Sequence, residues 1–158
     1  MVLDGAVINA RAAEADIALI TIGRNSGEFE DRKLEGDFLL TDVEKKLIAD
    51  VSDAFHRVGK QVVVILNMGG VIETASRKQF PDAILPAWQA GLEAGNAVAD
   101  LLCGAVNPSG RLPMTWPLRY DDIASSKNFP ANVTLSREEM WADMMGMGQG
   151  GEERRNIE

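Results

Sequence analysis

"DIALITIG", residues 16 to 23, is an almost unbroken run of apolar and β-branched residues, and "QVVVILN", residues 61 to 67, is a second one. Runs of this length and composition are the signature of strands buried on both faces, as in a parallel sheet. Between them lies "LTDVEKKLIADVSDAFHRVGK", residues 40 to 60, with a helical period. Thr41 as N-cap and Glu44 three residues on form a capping box, and Gly59 ends the helix. Val43, Leu47, Ile48, Val51, Ala54, Phe55 and Val58 make its apolar stripe. A strand, a helix and a second strand joined this way form a right-handed β-α-β unit, so the two strands lie parallel.

The same alternation continues outward. Residues 6 to 14 read as a short Ala-rich helix. After the Gly69-Gly70 turn, residues 71 to 79 form a short helix or an irregular crossover, and "AILPAW", 83 to 88, is a third strand. "GLEAGNAVADLLCG", 91 to 104, is a helix with Leu92, Ala97, Val98, Leu101 and Leu102 inward and Gly104 as its stop. "NPSGRLP" is a turn leading into a brief extended "MTWP". The expected fold is α/β: a three-layer α/β/α sandwich with a mostly parallel sheet, flavodoxin-like, and an incomplete domain, since three strands are few for a doubly wound sheet. The connections at 24 to 38, 67 to 80 and 88 to 91 follow strand C-termini, the sheet edge at which ligands bind in such folds.

Composition narrows the function. A net charge of -8, with basic residues scattered among acids, argues against nucleic acid and anionic membranes as partners. A single cysteine, Cys103, rules out an intrachain disulfide, and with a single histidine, His56, a Cys/His zinc site is unavailable. No apolar run reaches the length of a membrane span.

The stretch richest in chemistry is "RNSGEFEDRKLEGDF", residues 24 to 38. Glu28 sits between Gly27, which permits close approach of a ligand, and Phe29, which can exclude water. Partial desolvation raises a carboxyl pKa, as a general acid requires. The competing reading is a solvated acidic loop. Arg24 and Arg32 either bind a ligand or neutralise Glu30, Asp31 and Asp37. Asn67-Met68-Gly69-Gly70 is an anion cradle or simply a turn, and Trp88 with Gln89 lines a sugar pocket or belongs to the core. His56 reads as a surface residue. Ser26 has no histidine near it in sequence.

Taken together, "ADIALITIGRNSGEFEDR", "GDFLLTDVEKKLI", "KQVVVILNMGGVIE", "AILPAWQAGLEAGNAVADLLCGAVNPSGRLPMTWP" and "NFP" resemble, in order and spacing from residue 15 to 130, the C-terminal α/β-sandwich domain of glycoside hydrolase family 3, the β-glucosidase-type enzymes. The resemblance implies domain limits of 1–130, with 131–158 a linker or wrapping arm toward a following domain. It implies a partner as well, a (β/α)8-barrel domain of the same parent chain that carries an aspartate nucleophile. Many members use the glutamate of an "SGEGxDR" stretch as general acid/base, and here that role falls on Glu28, with Arg24, Asp31 and Arg32 as loop support. Phe29 stands where the family usually has glycine.

The activity so implied is retaining hydrolysis of a glucoside or related glycan, without metal or organic cofactor. The chain alone, lacking the nucleophile, is expected to be inactive. The compartment is not written in these residues; the family's work on glycans implies the periplasm or secretion. The alternative is a flavodoxin-like module that binds a ligand or acts as a scaffold without catalysis.

Overall fold

The computed structural model of the protein describes residues 3–25, 33–128, 141, 142 and 145. Helix α1 spans Gly5–Glu14, strand β1 Ile17–Gly23, helix α2 Asp42–Arg57, strand β2 Gln61–Asn67, strand β3 Ala83–Pro86 and helix α3 Ala94–Leu102. The strands form one parallel sheet in the order β1-β2-β3. This is the α/β sandwich with a parallel sheet that the alternating pattern predicts.

The register explains the core. Ala18, Ile20 and Ile22 pair with Val62, Val64 and Leu66, and Ile84 pairs with Val64, so one face of the sheet is continuously apolar. Ile8 and Ala12 of α1 join Ile48, Val51, Ala54 and Phe55 of α2 in a cluster with that face. Each fully buried Val, Leu, Ile or Phe side chain among them contributes about 1.5–3 kcal/mol before entropy is counted, and each Ala less. The opposite face is less covered: Ile17 and Leu19 remain 43% and 49% exposed. Where the cluster meets the 72–84 connection is a small, partly open pocket of about 20 Å³ lined by Ile22, Leu40, Ile48, Leu66, Ile72 and Arg77 among others, room for about one water.

Helix α2 starts and stops where its sequence says. Glu44 N–H donates to Thr41 Oγ1 at 3.2 Å while Glu44 Oε2 accepts from Thr41 N–H at 2.8 Å, closing the capping box. Gly59, at φ 72°, takes the left-handed conformation that ends the helix. Lys60 Nζ then donates to Ala12 O and Ala13 O at 2.8 and 3.2 Å, placing a cation on the last carbonyls of α1.

Three expectations need correction. The stripe of α2 is narrower than its period suggests: Val43 and Val58, at the two ends, are about half exposed, and Ser52 is fully buried instead. Residues 83 to 88 are not all strand, because β3 ends at Pro86. The inward stripe of α3 is only partly realised: Val98, Leu101 and Leu102 are half-buried, Ala97 is exposed, and Leu92, just before the helix, is fully exposed. Residues 71 to 82 form an irregular crossover of turns rather than a helix. The domain limit at 130 and the arm at 131–158 fall almost wholly outside the described residues.

Candidate functional site

The C-terminal edge of the sheet is held together by backbone bonds between neighbouring connections. Arg24 N–H donates to Asn67 O at 3.1 Å, tying the exit of β1 to the end of β2, and Ala87 N–H donates to Leu66 O at 2.9 Å, tying β2 to the exit of β3. The three connections singled out in the sequence thus do leave from one edge.

Arg24 organises the first of them. Its side chain is only 8% exposed. Nε donates to Asp37 O at 2.8 Å and Nη1 to Gly23 O at 2.8 Å. Nη1 and Nη2 grip Glu44 Oε1 and Oε2 at 2.6 and 2.9 Å, the two-pronged geometry that makes arginine–carboxylate pairs specific. One guanidinium therefore holds the outgoing limb at Gly23, the returning limb at Asp37 and the first turn of α2 at Glu44. The returning limb is fixed a second time: Leu34–Phe38 make a tight turn around Gly36, at φ 75°, and Phe38 is buried edge-on against Tyr120, with ring centres 5.4 Å apart. Phe38 O then accepts Glu73 N–H at 2.7 Å.

Burial alone would raise the pKa of Glu44. The hydrogen bonds from Arg24 and Thr41 and the charge of Arg24 outweigh it and hold the carboxyl below its ordinary value of 4.5. A depressed folded-state pKa means that the unfolded chain binds the proton first, so stability rises with pH in this range. The contribution of Glu44 is complete above 4.5 and is lost as pH falls through the lowered folded value. Glu44→Gln should therefore be less stable than the unmodified protein at neutral pH, with the gap closing in acid. Urea unfolding of both proteins between about pH 6 and about pH 3 measures this, and a gap independent of pH would refute it.

A second cluster forms where the β2 and β3 connections meet. Trp88 has φ 55°, a left-handed backbone at a large residue. Its ring lies 5.8 Å from that of Trp116, whose Nε1–H donates to Ile72 O. A Cβ on Gly69 would come within 2.9 Å of the Gln89 amide, so glycine there permits the close approach of the two connections. Met68 and Ile72 are buried beneath. Beside them, the buried Glu73 carboxylate accepts the Ser76 N–H and, at 2.9 Å, the Ser76 hydroxyl, and the Arg77 guanidinium lies 5.2 Å over the Phe80 ring. His56 is a half-exposed residue bonded to Asp82 at 3.0 Å. Hydrogen bonds from His56 and from Val62 N–H hold Asp82 below its ordinary pKa.

Of the residues picked from the sequence, Arg24 is placed: a bidentate carboxylate comes to it from Glu44 of α2, and Asp37 of its own connection pairs with it as well, Oδ1 4.0 Å from Nε. Glu28, Asp31 and Arg32 lie outside the described residues. Sequence reasoning saw Glu44 only as a helix cap and missed its second task. It missed Glu73 altogether, although Ser76 three residues on is a local signal, whereas nothing local marks the second task of Glu44.

The sequence profile of the family described as "Glycosyl hydrolase family 3 C-terminal domain" matches residues 4–149. The chain belongs to that family. A β-glucosidase of Ruminococcus albus is 37% identical over 131 residues, covering 82% of this chain and 13% of that protein. β-Glucosidase A of Butyrivibrio fibrisolvens is 38% identical over 143 residues, covering 75% of this chain and 17% of that protein. Among solved structures, β-glucosidase 3B of Thermotoga neapolitana in complex with glucose superposes with a TM-score of 0.79 at 47% identity, over 82% of this chain and 18% of that one. The chain thus spans less than a fifth of the length of these relatives. Its sheet, with the connection after β1 and the edge it shares with Asn67 and Ala87, is a family 3 C-terminal domain, the fold expected from the motifs.

Proposed function

We propose that this domain works as part of a retaining β-glucosidase, and that the connection after β1 brings Glu28 as general acid/base to a sugar pocket shared with a (β/α)8-barrel domain of the same parent chain. One observation carries the reading: in a chain of this family, Ser26-Gly27-Glu28-Phe29-Glu30-Asp31-Arg32 occupies a connection at the C-terminal sheet edge whose two limbs are both fixed by Arg24. Arg24, Asp31 and Arg32 serve as loop support in this proposal. The relatives named as β-glucosidases favour a glucoside as substrate.

The chemistry is a double displacement. Retaining enzymes place two carboxyl groups about 5–5.5 Å apart, one as nucleophile and one as acid and then base. Glu28 would protonate the leaving oxygen in the first half and take the proton of the attacking water in the second. The nucleophile, an aspartate, would come from the barrel. A single member of such a pair leaves little of the rate, so the purified 158-residue chain is expected not to turn over p-nitrophenyl β-glucoside. The full-length parent should do so. Turnover by the isolated chain above an inactive control, or a parent that hydrolyses no glycoside, would count against the proposal.

A further inference from the structure

We propose that the Arg24–Glu44 clasp is a positioning device for catalysis, with Arg24 setting the geometry of the acid/base step by fixing where the 24–38 connection leaves and rejoins the fold. This rests on the proposed role of Glu28. The two limbs meet on one side chain. Arg24 holds Gly23 O on the way out and Asp37 O on the way back, each at 2.8 Å, and anchors both to Glu44 at 2.6 and 2.9 Å. Glu44 is itself fixed, because its Oε2 also accepts the Thr41 N–H and, at 2.9 Å, the Thr41 hydroxyl. The anchor is therefore not a flexible surface acid but the first turn of a helix packed on the sheet.

Stability alone does not explain this arrangement. Burying a guanidinium and a carboxylate costs desolvation that cancels much of their attraction, and apolar residues of similar volume often stabilise as well or better. A charged pair gives something an apolar contact lacks, which is directional register. The guanidinium is planar and presents its N–H groups at fixed angles, so satisfying Gly23, Asp37 and Glu44 together leaves it one orientation. Lysine, a point charge on a flexible stem, cannot reproduce that fork. A displacement of about 1 Å in a catalytic group can cost on the order of 100-fold in rate, so the register of the limbs bears directly on the chemistry.

The prediction is specific to the step. If the clasp positions a general acid, loosening it harms glycosylation by substrates that need protonation of the leaving oxygen and spares glycosylation by those that do not. A clasp that merely stabilises would lower the melting temperature and slow every substrate alike. The test uses the full-length parent, with Arg24→Lys, Glu44→Gln and Glu28→Gln assayed on β-glucosides from dinitrophenyl to alkyl leaving groups, below the melting point of each variant. Arg24→Lys is expected to lose about 10- to 100-fold more on the alkyl glucoside than on the dinitrophenyl glucoside in kcat/KM, which reports the glycosylation step. Glu44→Gln should show the same pattern in weaker form, and it carries the test if Arg24→Lys does not fold. Equal losses across leaving groups in both variants would overturn the proposal. Glu28→Gln separates the two levels: if it is selective by leaving group and the clasp variants are not, the clasp alone is wrong. If it is not selective either, the reading of Glu28 is wrong.

Discussion

Glu28→Gln in the full-length parent is expected to leave dinitrophenyl β-glucoside able to form the covalent intermediate while cutting alkyl glucoside hydrolysis by about 10²–10⁴-fold, the usual weight of general acid catalysis. The asymmetry follows from the two duties of one carboxyl. An alkoxide is a poor leaving group and needs a proton, whereas dinitrophenolate departs unaided. The second half-reaction then stalls for every substrate, because the base that activates water is gone, and the glycosyl-enzyme should accumulate as a burst. Azide needs no base and should restore turnover, giving a β-glycosyl azide. Equal slowing of both substrates with no rescue by azide would make Glu28 a bystander and move the acid elsewhere.

The largest effect on stability is expected at Leu66. It sits in the central strand, 2% exposed, paired with Ile22 on one side and Pro86 on the other. It also lines the pocket of about 20 Å³ already present. Leu→Ala substitutions in cores cost about 2–5 kcal/mol, more when the surroundings cannot collapse into the space. Here Leu40, Ile48 and Ile72 already leave a space unfilled beside Leu66, so the surroundings would not collapse and about 3–5 kcal/mol is expected for Leu66→Ala. Leu92→Ala, at a fully exposed site, should change stability by no more than about 0.5 kcal/mol. Urea unfolding of the two variants side by side checks this; similar midpoints would mean that the core is not where the register puts it.

How much of this could be read from the sequence depended on whether the cause was local. Strands β1 and β2 were legible because an apolar, β-branched run has few alternatives, and the start of α2 because Thr41 and Glu44 satisfy one another within a single turn. The burial of α3 was not legible. A helical period tells which side of a helix is apolar, but not how closely another element lies against it, and in the described residues Leu101 and Leu102 are no more than half-buried. The end of β3 was misjudged because "PAW" looks apolar, while the chain turns left-handed at Trp88, whose ring packs beside Trp116, a neighbour in the fold rather than in the local sequence. The clasp was half legible. Arg24 stood out as a charge in a loop, but its partner is twenty residues away and was already accounted for by a local motif.

The backbone of Trp88 puts two demands on one position that no residue meets together. Its φ of 55° is a conformation glycine enters freely, and other residues there give up about 1–2 kcal/mol. Its ring, against Trp116, makes a contact only a large aromatic can make. Trp88 is partly buried, so its removal forfeits only part of the about 3–5 kcal/mol that a fully packed core aromatic loses, enough to offset the strain. A search for stabilising substitutions that ranks positions by backbone preference would choose glycine here first, and would take away the side chain that holds the β3 connection in place.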